Sequence, residues 1–319
     1  MGAASSAPPG GRPLRWRLEA GALHAGSWLL RALPERAARE TGARTALLGA
    51  RAWPRQRRVA LANLSVAFPD WAAARREALL AEHIRQLGRH AAEWARLTTA
   101  SPQALLARFE FEGVRRLEAA CADGRGALLV TAHFGCWELL LPALRARLPG
   151  HRFAAVGRAQ RNPFLQRMIA TRRTAADGHG ALSQSAVAVR RALRDGGSVG
   201  LLADHYTAER RGGVLVPFLG RRAWTSPAPA KLARAHARPL LLVRTHPLPR
   251  GRHRVVVGPE VSPPARAEGV RGVAAATEQI NDAISGWIVE RPEQWLWLHA
   301  RFRGSPDVPD AVARAGRRH

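Results

Sequence analysis

The segment at 126–144 reads GALLVTAHFGCWELLLPAL and holds His133 five positions ahead of Glu138. A neutral imidazole takes a proton from a hydroxyl near pH 7, its ordinary pKa being about 6.5. A carboxylate on the second ring nitrogen fixes the tautomer and stabilises the imidazolium that forms. His-x-x-x-x-Glu therefore offers a general base with an orienting acid. Spacing alone is a weak signal, because 12 histidines and 24 acids in 319 residues give about one such pair by chance. The plain alternative is a histidine capping a sheet edge and a glutamate on a solvated helix turn. Local context favours chemistry over that alternative.

The context is a strand-to-helix corner. Residues 127–131 form a short apolar run with a β-branched end, the pattern of a buried strand. Gly135 permits a tight turn, and 137–144 reads as the first turns of a helix. Such corners carry the chemistry of α/β folds. Further along, periodicity predicts a long amphipathic helix over 72–97, a strand over 109–113 and a helix over 114–123. It continues with a strand over 151–156, helices over 163–174 and 184–195, and a strand over 199–203 that ends at Asp204. An extended run at 214–218, a helix over 227–237, strands over 240–244 and 254–257, a helix over 270–290 and an apolar run at 295–298 complete the series. This alternation predicts an α/β fold, a mixed and mostly parallel sheet flanked by helices.

The formal net charge is +26, which points to anionic partners: nucleic acid, acidic lipid or an acidic carrier protein. The composition also carries the mark of a GC-rich genome, with Lys231 the sole lysine. Asparagine persists only at Asn63, Asn162 and Asn281, and tyrosine only at Tyr206, a weak hint that these residues are needed. Two cysteines, Cys121 and Cys136, make no disulfide framework and suit a reducing compartment; Cys136 reads as a small buried thiol. No metal-ligand spacing is visible.

Residues 1–40 read as a disordered start followed by an amphipathic segment that lies on a membrane, with Leu23, Trp28, Leu29 and Leu30 on one side and arginines on the other. An ordinary core helix is the competing reading there. The apolar patch is too short and polar for a span and lacks a cleavage site for a signal peptide. Residues 41–303 read as the main domain and 304–319 as a disordered basic tail. A Gly-x-Ser-x-Gly match at 196–200 mimics a hydrolase elbow, but a helix precedes Ser198 and a strand follows, the reverse of what that elbow needs.

Six segments carry a more specific signal: NLSVAFPD (63–70), TAHFGCWELL (131–140), VGRAQRNP (156–163), LRDGGSVGLLADHY (193–206), GGVLVPFLGRRA (212–223) and PEQWLWLHARFR (292–303). In this order they resemble the bacterial lipid A biosynthesis (lauroyl/myristoyl) acyltransferases, within the lysophospholipid acyltransferase group. The resemblance implies a glycerolipid acyltransferase-like α/β fold with an N-terminal membrane-associating helix, on the cytoplasmic side of the inner membrane. It implies transfer of a fatty acyl group from an acyl carrier protein thioester, or from coenzyme A, to a hydroxyl of a lipid A precursor, with no cofactor and no metal. By the same resemblance His133 is the catalytic base and Glu138 its paired acid. Arg158, Asn162, Arg173 (or Arg172) and Asp204 belong to substrate binding, and Trp297, His299 and Arg301 match a terminal Trp-x-His-x-Arg pattern. Two departures stand out: the N-terminal segment is less hydrophobic than the family's anchor, and His205 follows Asp204 where glutamine is usual. Acylation of another lysolipid or of mannosylated phosphatidylinositol is the alternative activity. A basic nucleic-acid-binding protein is the alternative of another class, although no nucleic-acid-binding motif is visible and none is the expected partner.

Overall fold

The run Leu128-Leu129-Val130-Thr131 is buried on both faces, as a central strand between two helical layers must be. In the computed structural model, which describes residues 14–157, 162–173, 181–182, 186–262 and 266–314, this run is the second strand of a seven-stranded sheet. The strands are β1 Phe109–Glu112, β2 Leu128–Thr131, β3 Phe153–Val156, β4 Ala181–Leu182, β5 Ser198–Leu202, β6 Val214–Phe218, β7 Arg221–Thr225, β8 Leu240–Leu248 and β9 Arg252–Val261. The large sheet has the order β1-β9-β8-β2-β5-β3-β4, and β6 and β7 form a separate antiparallel hairpin. Strands β8, β2, β5, β3 and β4 run parallel, while β9 is antiparallel to β8 and parallel to β1. The sheet is thus mixed and mostly parallel, as the alternation of elements implies.

The helices are α1 Leu14–Ala32, α2 Glu35–Gly49, α3 Pro54–Ala67, α4 Ala73–Leu97, α5 Pro102–Leu106, α6 Arg115–Ala122, α7 Leu140–Arg147, α8 Pro163–Arg173, α9 Ala186–Arg194, α10 Ala228–His236, α11 Gly269–Glu290 and α12 Asp310–Ala313. Period-two alternation sends β2 side chains to opposite cores. Leu128 and Val130 pack with Ala233 of α10 and Ile284 of α11, whereas Leu129 packs with Leu117 of α6 and Leu140 and Leu144 of α7. Leu139 and Leu140 are therefore core, as is Phe134.

Helix α1 is held at both ends by side chains from elsewhere. Arg96 donates to the carbonyls of Leu30, Arg31 and Leu33 at 2.6–3.0 Å, placing a cation on the last carbonyls, where the helix dipole favours it. Asn162 donates to Trp16 O at 3.1 Å and to Glu19 Oε2 at 2.9 Å. Between these ties Leu14, Leu18, Trp28 and Leu29 stand exposed, Trp28 at 66 %. Among the described residues no helix is long and apolar enough to cross a membrane.

One sequence expectation changes. Residues 304–314 are not a loose tail: Ser305 Oγ donates to Arg222 O, and the Asp307 carboxylate accepts a fork of bonds from Arg222 at 2.6–3.1 Å. Helix α12 then turns back to place Ala313 in the protein, its carbonyl accepting from Gly304 N. The reason is that the β6–β7 hairpin offers the Arg222 carbonyl and guanidinium, which Ser305 and Asp307 bond. The apolar run at 295–298 is a loop that crosses the end of the sheet, with Trp295 and Trp297 buried in it.

Candidate active site

Strands β2 and β5 are adjacent and parallel, in register from Leu128↔Val199 to Thr131↔Leu202. Each is followed two residues later by an ionisable side chain, His133 after β2 and Asp204 after β5. The two therefore meet at the carboxyl end of the sheet, where parallel α/β sheets bind ligands. His133 Nδ1 lies 2.9 Å from Asp204 Oδ1, and His133 N donates to Asp204 Oδ2 at 3.0 Å. Because an ionised carboxylate only accepts, Nδ1 carries the proton and Nε2 carries the lone pair. Trp295 Nε1 donates to Asp204 Oδ2 at 2.8 Å, so both carboxylate oxygens are satisfied in a fully buried position.

Burial alone would raise the Asp204 carboxyl. The neighbouring His133, its hydrogen bond, and the nearby His299 and His205 outweigh that effect and hold the carboxyl far below the usual carboxylate range. The surrounding imidazoles shift the other way. Burial lowers His205, aided by His133. Burial also lowers His299 to about 3, against the pull of Asp204. His205 and His299 stack with centroids 4.5 Å apart and planes within 4°, and His205 lies 4.5 Å from the ring of His133. His299 Nε2 donates to Asp204 O at 3.1 Å, tying the last loop to the end of β5.

The backbone around His133 is fixed as firmly as its ring. Its carbonyl accepts from Leu296 N at 2.9 Å, and Gly135 N donates to Gln294 O at 3.0 Å. Gly135 has φ +59°, and a Cβ there would sit 2.6 Å from the carbonyl oxygen of Thr245, so only glycine fits this corner. Asn63 on α3 holds the opposite loop, donating to Trp297 O at 2.8 Å and His299 O at 2.7 Å. Arg301 is fully buried, bonding Trp224 O and Thr225 Oγ1, and its role is to hold the β6–β7 hairpin against this loop.

Beside the corner opens an apolar cavity of about 290 Å³, lined by Leu23 of α1, Leu87 of α4, Leu165 and Met168 of α8, Trp137 and Glu138 among others. Trp137 meets His133 edge-on at 5.2 Å, so one wall of the cavity lies against the imidazole.

The structure places the expected site residues unequally. At His133 Nδ1 stands the carboxylate of Asp204, which the sequence reading assigns to substrate binding. The physical reason is register: residues two beyond the ends of adjacent parallel strands face each other. Glu138 instead sits on the single 3-10 turn Trp137–Leu139 and lines the cavity. Asn162 is buried, and its amide is engaged inside the protein: it ties down α1, and its Oδ1 caps α8 by accepting from Phe164 N and Leu165 N. Arg158 lies outside the described residues. Arg173 ends α8, and its side chain is outside them, as is that of Arg172. Trp295 escaped sequence reasoning, since an apolar run gives no hint that an indole N–H meets a carboxylate. The scarcity of asparagine was a usable signal: Asn63, Asn162 and Asn281 are all buried and bond to backbone or side-chain groups at loop ends. Ser198 of the Gly-x-Ser-x-Gly match begins β5 at the opposite end of that strand from Asp204. Buried there, it accepts from Ala127 N at 3.0 Å and lies 2.8 Å from His151 Nε2.

Comparison with known proteins gives this arrangement its setting. The lipid A biosynthesis lauroyltransferase of Escherichia coli (strain K12) is 26 % identical over 284 residues, covering 88 % of this chain and 90 % of the relative. The palmitoleoyltransferase of the same strain is 26 % identical over 265 residues, covering 81 % and 83 %, and the myristoyltransferase 25 % identical over 247 residues, covering 76 % and 73 %. The family profile for bacterial lipid A biosynthesis acyltransferase matches residues 16–304, so the buried Asp204, the imidazole it orients and the adjoining apolar cavity belong to an acyltransferase of that family.

Proposed function

We propose that this enzyme moves a fatty acyl group from an acyl carrier protein thioester to a hydroxyl of a lipid A precursor. The observation that carries the reading is the His133–Asp204 pair opening beside an apolar cavity. His133 Nε2 takes the proton of the acceptor hydroxyl, and the alkoxide oxygen attacks the thioester carbonyl carbon. The carbon–sulfur bond then breaks, His133 returns its proton to the leaving thiolate, and an ester and a carrier thiol result. A positioned base supplies about 10²–10⁴-fold of the acceleration. Asp204 holds the reactive tautomer and stabilises the imidazolium. The acyl chain lies in the cavity between Trp137, Leu87 and Met168. Glu138 lines that cavity, where it orients the acceptor hydroxyl.

Arg158 and an arginine at 172 or 173 hold the anionic acceptor, since guanidinium forks bind phosphate bidentately. The charge of +26 suits both an acidic carrier and an anionic inner-membrane surface. Helix α1 lies on the cytoplasmic face of that membrane, with Trp28 and Leu29 in the headgroup region and Arg15, Arg17 and Arg31 among the phosphates. Asn162 supports the site from within by fixing α1, whose Leu23 walls the cavity.

The test is to incubate the purified enzyme in detergent with carrier-protein thioesters of graded chain length and a panel of acceptor lipids, reading products by mass. A single acyl ester on a lipid A precursor, absent with His133→Ala, is the expected result. Acylation of mannosylated phosphatidylinositol in its place, or turnover with coenzyme A thioesters only, would replace acceptor or donor respectively. An unchanged KM for the lipid in Arg158→Ala would remove Arg158 from the site.

A further inference from the structure

Beside the same corner lies a second cluster of buried ionisable side chains, whose Cys136, with the neighbouring His90, also lines the apolar cavity. Glu93 comes from α4, Cys136 from the corner itself and His253 from β9, and none is more than 4 % exposed. A carboxylate oxygen, the Sγ and a ring nitrogen from these three residues all lie within 4.8 Å of one another. Glu93 divides its carboxylate: Oε1 faces Arg39 Nη1 at 3.2 Å, while Oε2 faces His253 Nε2 at 3.2 Å. That second contact is misaligned for a hydrogen bond, and both atoms are buried with no hydrogen-bond partner. His90 stands one turn before Glu93 on α4, its ring 6.4 Å from that of His253, and its buried Nδ1 is likewise without a partner.

Buried polar atoms are nearly always paired, so several that converge unpaired call for a shared third body. Donor chemistry identifies it. A thiol, an imidazole and a carboxylate suit zinc and its neighbours, whereas magnesium and calcium take all-oxygen sets. Nitrogen and oxygen ligands about 2.0–2.1 Å from a tetrahedral ion lie about 3.3 Å apart, close to the separation of Oε2 and Nε2. We propose that Glu93, Cys136 and His253 bind one divalent ion of zinc's class, with His90 facing the fourth position. On binding, the Cys136 thiol gives its proton to solvent, and thiolate and carboxylate neutralise the ion's two charges. The ion would pin α4 and β9 to the loop three residues beyond His133, at the wall of the apolar cavity that Cys136 lines.

The sequence shows no such site because its ligands come from three distant elements. The active-site trio His133, Asp204 and His205 also lies within 4.8 Å, but both Asp204 oxygens are hydrogen-bonded there.

The test uses full-length enzyme purified without chelator. Elemental analysis should find about one equivalent of zinc per chain, and Cys136→Ser and His253→Gln should each lower it by roughly tenfold. His205→Gln should leave it unchanged. Cobalt substitution should give a near-ultraviolet thiolate-to-metal band in the wild type that Cys136→Ser lacks. Because these variants can misfold, the wild type is also stripped with a chelator: its Tm should fall by several degrees and recover with zinc. Wild-type protein that takes up no zinc on equilibration, an unchanged Tm on stripping, or a cobalt spectrum untouched by Cys136→Ser would each overturn the proposal.

Discussion

Two buried histidine–carboxylate pairs lie on either side of the corner formed by residues 133–136, and they are built differently. In front, every carboxylate oxygen of Asp204 is hydrogen-bonded, to the ring and backbone of His133 and to the indole of Trp295. Behind, Glu93 has one oxygen on Arg39 and the other facing His253 without a proper bond. A satisfied buried network holds one geometry and fixes a tautomer, which is what a base needs. An unsatisfied one is costly unless something completes it. The front pair is thus equipped for proton transfer and the rear pair for holding structure, although each joins an imidazole to a carboxylate.

The largest expected effect tests the front pair. His133→Ala and Asp204→Asn should each lower kcat by about 10²–10⁴-fold with the circular dichroism spectrum retained. A near-normal rate in Asp204→Asn would return the orienting role to Glu138. Next comes the rear pair. Glu93→Ala strands Arg39 and His253 in the interior and should cost about 3–5 kcal/mol in urea denaturation, with a far smaller change in kcat of the folded fraction. Equal losses of rate in Glu93→Ala and Asp204→Asn would erase the distinction between the pairs.

Acid separates them too. Burial lowers His83 to about 4, against a backbone bond to Glu293, and the unfolded chain binds that proton near 6.5. Stability is therefore full above pH 6.5 and falls as pH drops towards 4, by roughly 3 kcal/mol for His83 at about 1.4 kcal/mol per unit. Buried His299, lowered to about 3, adds a loss over the same range. Asp204 acts in the same direction at lower pH: its depressed carboxyl stabilises the fold above the usual carboxylate range, and that contribution is lost as pH falls below it. Tm should thus decline from pH 6.5 to 4.5, less steeply in His83→Gln; a flat profile in the wild type would contradict neutral burial. The smallest effect belongs to a third contact, His151 with Ser198 at the far end of β5. Ser198→Ala should cost about 1 kcal/mol and leave kcat within about twofold; an inactive variant would revive a serine nucleophile.

Much of this was legible in the chain. Apolar runs of four or five residues flanked by glycine marked β2 and β5, and helical periodicity marked α4 and α11, because burial imposes periods of 2 and 3.6 on any sequence. His133 and the place of Asp204 at a strand end were visible for the same reason. Hairpin strand β7 was not, since Arg221, Arg222 and Thr225 alternate with too few apolar residues to register. Residues 304–314 read as a tail because their anchors, Arg222 and the β6–β7 backbone, lie about eighty positions earlier.

The sequence by itself determined the order of elements, the basic charge and the family, and it singled out His133 as the candidate base. Only the tertiary structure placed a carboxylate on its Nδ1. Glu138 is near His133 along the chain, but Asp204 is near it in space, because parallel pairing of β2 with β5 brings together residues 71 positions apart. The same holds for Glu93, Cys136 and His253. Pairwise contact across a sheet or between layers is set by register and packing, and no local spacing encodes it.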